Sequence, residues 1–225
     1  ANVTAIGALD GAGQNGGDNN VVYQIVGQPL GVFYLPHCKG LVKNENGSYF
    51  YDIEDLDHNG KVDISDGGDR YVAGQATPKV ILGSNISFRY KNFYVSIQMN
   101  GAFGHKIFNG TGLAYTSMAC FPDYNVLKDA PKKNIIDQRV SDYWLEKGDY
   151  LNFEHLTIGY NVPLRSKLIR SLRVSCNISN IGTITGYKGL TPMINSYVVN
   201  STMGIDDKRN YPLYRTYSLG LSVQF

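Results

Sequence analysis

The final strand, Leu213 to Phe225, constrains this chain more than any other stretch. From Tyr217 it alternates without a break: Tyr217, Leu219, Leu221, Val223 and Phe225 share one face, and Ser218, Gly220, Ser222 and Gln224 the other. Successive strand side chains point to opposite sides, so a fully apolar surface backs a surface of small and polar groups. In a soluble sandwich the polar face meets water; in a membrane barrel the apolar face meets lipid and the polar face lines the lumen. Alternation alone fits both. The chain ends on the aromatic Phe225, and four earlier segments carry the same two-faced pattern, which favours the barrel.

Those segments begin after Pro78. Val80, Leu82, Ile86, Phe88 and Tyr90 lie opposite Lys79, Gly83, Asn85, Ser87 and Arg89; after a tight connection from Tyr90 to Phe93, the pattern repeats through Val95, Ile97 and Met99. This predicts a long hairpin. Leu151 to Val162 is a further strand whose apolar parity shifts between Phe153 and Leu156, as a β-bulge requires. Leu172, Val174, Cys176 and Ile178 mark the next, and Asn2 to Ile6 reads as the end of another. Val21 to Val42 is apolar but broken by Gly27, Pro29, Gly31, Pro36 and Gly40, so it predicts short extended pieces.

The connections alternate in length. Tyr90 to Phe93 and Pro163 to Ser171 are short; Gly104 to Gly148, with a weakly helical Asn134 to Trp144, and Gly186 to Asn210 are long. An up-and-down outer-membrane barrel has short periplasmic turns and long outer loops. Phe225 then falls at the periplasmic rim, residues 9–77 form a long extracellular region, and residues 78–225 carry the barrel strands.

Composition excludes some classes. The chain has 21 basic and 19 acidic residues, a net charge of +2 and no basic block, so it lacks the electrostatic footprint of a nucleic-acid binder. Seventeen Tyr and 25 Gly suit β-structure with many turns. No run of about 18 apolar residues occurs, which rules out a spanning helix within this sequence but leaves barrel strands open. The four His sit in no HExxH and there is no GxSxG elbow, so the sequence does not read as an enzyme. Gly11, Gly13 and Gly16 spell GxGxxG, yet no helical period follows to hold a pyrophosphate. Cys38, Cys120 and Cys176 lack metal-ligand spacing and read as unpaired small residues, with a Cys38 to Cys120 disulfide as the alternative in an oxidising compartment.

The most specific local motif is acidic. Asp55, Asp57, Asn59, Gly60, Lys61, Asp63 and Asp66 match positions 1, 3, 5, 6, 7, 9 and 12 of an EF-hand-like loop. A hard cation needs six or more oxygens at about 2.5 Å, and this spacing wraps the backbone around one point. Glycine at position 6 permits the turn, and Lys61 serves through its carbonyl. Asp66 replaces the usual Glu and shortens the reach. Calcium, or magnesium, is the expected ion; the alternative is an Asn/Asp-rich turn held by side-chain to backbone hydrogen bonds.

Several ordered motifs together resemble the C-terminal portion of the SusC/RagA-like TonB-dependent transporters of Bacteroidota outer membranes. They are Val26 to Gly31, Asp55 to Asp66, Tyr90 to Phe93, Tyr143-Trp144 with Gly148 to Leu151, Leu156 to Pro163, Asn180-Ile181 with Gly186-Tyr187, and Tyr211-Pro212 leading to Phe225. The resemblance implies an all-β fold: an antiparallel transmembrane β-barrel segment, about six C-terminal strands of a barrel of about 22. It implies partners too: the remaining barrel and plug, a SusD-like lipoprotein lid, TonB, and outer-membrane lipid. The function implied is energised uptake of glycans or peptides. On that reading Tyr115, Tyr124, Tyr187 and Tyr197 offer stacking faces to cargo or lid, and Phe225 acts as a barrel-assembly signal. The rival is a soluble, calcium-stabilised β-sandwich that binds glycans.

Overall fold

The alternating segments form one antiparallel sheet in the computed structural model, which describes residues 3–8, 20–65, 67–165, 168–194, 203–208 and 210–225. The first strands are β1 (Val3–Ala8), β2 (Asn20–Ile25), β3 (Val32–Leu35), β4 (Cys38–Lys43), β5 (Tyr49–Ile53) and β6 (Tyr71–Gln75). The hairpin strands β7 (Val80–Tyr90) and β8 (Phe93–Phe103) follow, then β9 (Lys106–Asn109), α1 (Gly110–Thr116), α2 (Ala130–Lys133) and β10 (Leu145–Lys147). β11 (Tyr150–Val162), β12 (Ser171–Thr185), β13 (Ile205–Asp206) and β14 (Thr216–Gln224) complete the chain. No helix among the described residues is long and apolar enough to cross a membrane.

Contacts divide the chain into two units. The sheet unit comprises Lys79–Phe103, Asp149–Gly186 and Pro212–Phe225. Its strand order is β14-β12-β11-β8-β7, and every pair is antiparallel. Tyr90 pairs with Phe93 across a two-residue turn in which Lys91 has φ +52°, the left-handed conformation that a tight hairpin requires. β7 and β8 are each 11 residues long, enough for a strand that crosses the hydrocarbon layer at a tilt.

Register sorts the side chains of this sheet by face. Ile86, Ile97, Leu156, Ile178 and Tyr217 form a row across all five strands, and Phe88, Val95, Ile158, Cys176 and Leu219 form the next. On the other face run Ser87, Ser96, Thr157, Asn177 and Ser218, where Ser87 donates to Ser96 at 3.0 Å and Thr157 to Asn177 at 2.8 Å. The expected bulge is present: pairing of β11 with both neighbours slips between Phe153 and His155. Phe153, opposite Met99, thereby stays on the apolar face with Leu156, opposite Ile97. Gly159 lies against the Tyr94 ring, where an added Cβ would approach within 2.0 Å.

The other unit comprises Ala1–Pro78, Gly104–Gly148 and Tyr187–Tyr211. Its sheets are β1-β2-β3-β6, the β4-β5 hairpin, and β10-β9-β13. The strand expected at Asn2 to Ile6 is β1, paired here with β2, so the two-faced sheet holds five strands among the described residues. Val21, Phe33, Leu35, Phe108, Ile135 and Ile205 make a core with negligible exposure. Asn109 caps α1, its Oδ1 accepting from the Gly112 amide at 2.6 Å. The Trp144 indole donates to the Tyr51 hydroxyl at 2.8 Å, and burial pushes the Tyr51 pKa far up.

One expectation changes here. Asn134 to Trp144 is not one helix: α2 ends before it, Asn134 takes a left-handed φ of +45°, Ile135 runs as buried extended chain bridged to Tyr49 and Ser117, and only Asp142–Trp144 makes a 3-10 turn. Burial of Ile135 outweighs weak helical propensity. The cysteines follow the reading as unpaired residues where they are described: Cys38 and Cys176 are free thiols, and the side chain of Cys120 lies outside the described residues.

Candidate cation loop and two-faced sheet

The acidic motif folds into a turn-rich loop between β5 and β6. Asp55 accepts the Gly60 amide at 2.7 Å and the Asn59 amide at 3.3 Å, and Asp57 accepts the same Asn59 amide at 3.0 Å. Asn59 Oδ1 takes the Lys61 amide at 2.8 Å, and the Asp63 carboxylate takes the Ser65 amide at 2.9 Å. Gly60 has φ +83°, the sharp turn expected at position 6. Asp66 lies outside the described residues.

Asp69, absent from the EF-hand spacing, closes the loop. It is buried; its Oδ1 accepts the amides of Leu56 (2.7 Å) and Asp57 (3.2 Å), and its Oδ2 accepts that of Asp63 (2.7 Å). The Asp63 amide and the other backbone donors hold the Asp69 carboxyl below its usual pKa, and hydrogen bonds from Ser65 do the same for Asp63. Ligand atoms of Asp55, Asp57 and Asp69 lie within 4.8 Å of one another. The sequence signal for Asp69 is the preceding glycine pair: Gly67 has φ +89°, and a Cβ on Gly68 would meet the Asp63 carbonyl at 2.3 Å, so this reversal needs glycine at both positions.

Beneath the loop, Arg70 is buried, donating twice to the Ile64 carbonyl (2.9 and 2.7 Å) and once to the Tyr23 hydroxyl (2.8 Å). The donor set is all hard oxygen, the ligand class that calcium and magnesium both take.

The loop tyrosines separate. Tyr124 is 66% exposed, whereas Tyr115 is half-buried against the core. Tyr187 is buried and donates to Asp206 at 2.7 Å, so it offers no free stacking face. Asp206, fully buried, also accepts from Thr111 at 2.7 Å and Asn210 at 3.0 Å. Burial pushes the Tyr187 hydroxyl pKa far up, with the Asp206 charge adding to it. Tyr197 lies outside the described residues.

A nucleophile is not assembled at the remaining polar cluster. His37 Nδ1 meets Asp142 at 2.6 Å and Tyr71 donates to the same carboxylate at 2.7 Å. The adjacent Cys38 thiol donates to the Gly40 carbonyl, and burial raises its pKa, away from thiolate.

The apolar face of the sheet stands open. Phe88 is 65% exposed, Leu219 86% and the terminal Phe225 78%. An apolar surface five strands wide, backed by a hydrogen-bonded polar face, defines the wall of a transmembrane β-barrel. Among curated proteins, the chain is 27% identical over 231 residues to TonB-dependent receptor P3 of Formosa agariphila, spanning 88% of this chain and 22% of that protein. It is 26% identical over 224 residues to TonB-dependent receptor SusC of Bacteroides thetaiotaomicron, spanning 93% of this chain and 21% of SusC. The chain thus spans about a fifth of the length of these relatives. Its fold matches the RagAB peptide transporter with a TM-score of 0.67 at 17% identity, covering 91% of this chain and 23% of that one. The open-open state of the RagAB peptide importer gives 0.65 at 18% identity, covering 92% and 24%. No family model matches the chain. The resemblance to SusC/RagA-like TonB-dependent transporters holds in sequence and in fold.

Proposed function

We propose that this chain supplies barrel wall and outer-loop structure to a TonB-dependent transporter that takes up glycans or peptides across the outer membrane. The observation that carries the reading is the five-stranded sheet with its large apolar side chains outside. A soluble sandwich would have to cover that face, and an apolar surface of this extent left in water favours aggregation. The relatives are receptors and transporters, which supports a role other than catalysis. A SusD-like lipoprotein, TonB and the remaining barrel and plug are the partners this reading requires, with residues 9–77 extracellular and Phe225 as assembly signal. The test is capture: the complex is purified from its own membrane and offered mixed oligosaccharides and peptides, and native mass spectrometry reads what stays bound. Retention of one class establishes cargo. A water-soluble monomer that retains neither overturns the reading.

The acidic loop is the second part of the proposal. Asp55, Asp57 and Asp69, with Asn59, Asp63 and the Lys61 carbonyl as further donors, would hold a calcium ion. The ion would crosslink the backbone between β5 and β6. Terbium luminescence titrated against calcium tests it, and absence of a saturable signal removes the ion from the account.

A further inference from the structure

The bulge on β11 does more than keep the apolar face clean. It puts Glu154 on the polar face, where Asn100 Nδ2 donates to its Oε2 at 2.9 Å. His155, the next residue, contacts Ser179 at 3.1 Å on that same face. In an unbulged strand two adjacent side chains would point to opposite faces; here both line the lumen side, as bulges near functional sites commonly arrange. Glu154 is the one carboxylate in the five long strands, and among the described residues no cation pairs with it. The arginines of the sheet unit do not pair with it: Arg215, beside Thr216, gives its guanidinium to the carbonyls of Asn180 and Ile181. Arg89 lies in the row of Gly159, about five residues along the strand or roughly 17 Å at 3.4 Å per residue, and Arg173 in the more distant row of Asn161. Those separations exceed a physiological screening length of about 8 Å.

We propose that Glu154 forms a cation subsite on the lumenal wall, taking the ammonium or guanidinium group of a passing cargo, with Asn100 holding the carboxylate in place. This rests on the barrel-wall reading above. The test uses the protein in its native membrane with every cysteine, Cys38, Cys120 and Cys176 among them, replaced by Ser and a single cysteine introduced by Gln98→Cys, opposite His155 in register. Modification rates are compared for a trimethylammonium and a sulfonate thiosulfonate reagent. With Glu154 present the cationic reagent is favoured, and Glu154→Gln lowers the rate ratio about fivefold, the size expected for one partly screened charge nearby. Glu154→Asp, which keeps the charge, preserves the ratio and separates loss of charge from misfolding. A tri-arginine peptide slows the reaction in the parent and not in Glu154→Gln. A ratio unmoved by Glu154→Gln, or a cysteine at 98 inert to both reagents, overturns the subsite. Leu219→Cys, on the apolar face, is the separate control: if it reacts as fast as the cysteine at 98, the barrel-wall reading itself falls.

Discussion

In the unit holding the acidic loop, large apolar side chains point inward: Phe33, Leu35, Phe108 and Ile205 are sealed from solvent. In the five-stranded sheet, Phe88, Leu219 and Leu221 point outward with most of their surface free. Both regions are built of strands from one chain, so propensity does not separate them. What differs is the medium each is built for. A water-facing unit gathers its apolar groups around an interior, whereas a lipid-facing wall spreads them outside and keeps hydrogen-bonding groups on the lumen side. The largest test of the contrast is Phe33→Ala. It should destabilise its unit by about 3–5 kcal/mol, as emptying a packed aromatic site does, read by the emission of the single Trp144 during denaturant unfolding.

The mirror experiment uses neighbours on β14. Leu219→Arg puts a charge on the apolar face and should cost about 2–4 kcal/mol in a bilayer, whereas Ser218→Arg, one residue away on the polar face, should cost less than about 1 kcal/mol. Folding yield into lipid vesicles and heat-modifiable gel migration measure both. Equal tolerance at the two positions would erase the distinction drawn between the faces.

A smaller effect is expected at the acidic loop. Asp55→Asn and Asp57→Asn each remove one carboxylate oxygen donor, and each should weaken calcium on the order of tenfold, because affinity follows ligand charge count. The sheet should not respond to calcium at all. A loop whose calcium titration is unchanged in both variants is simply an Asx-rich turn.

How much of this was legible in the sequence also divides along the two regions. The sheet could be read strand by strand, even to the bulge between Phe153 and Leu156, because a period of two is local and the apolar face keeps to it with few breaks, Ser84 opposite Met99 being one. The inward unit was largely hidden. Its strands are short, β9 being Lys106–Asn109 and β13 only Ile205–Asp206, and their partners lie far along the chain. Asp69 escaped because its role depends on the Gly67-Gly68 reversal rather than on motif spacing. Tyr187 looked like a free loop aromatic because nothing near it in sequence announces Asp206, whose buried carboxylate claims its hydroxyl.

The smallest expected effect is that of acid, and its sign follows from the loop carboxylates. Backbone and side-chain donors hold Asp69 and Asp63 below the unfolded value of about 3.9. Their contribution is therefore complete above that value and is lost as pH falls through the folded values, when a protonated carboxyl can no longer accept every amide now aimed at it. Acid titration below about pH 4 should loosen the turn between β5 and β6 first, read as faster amide exchange at Leu56, Asp57 and Asp63, whose N–H groups Asp69 accepts. The sheet carries a single strand carboxylate, Glu154, and its ladder amides should keep their protection over the same range. Loss of protection in β8 and β11 at the same pH as in the loop would mean that the two regions unfold as one, and the contrast between them would then concern packing but not stability.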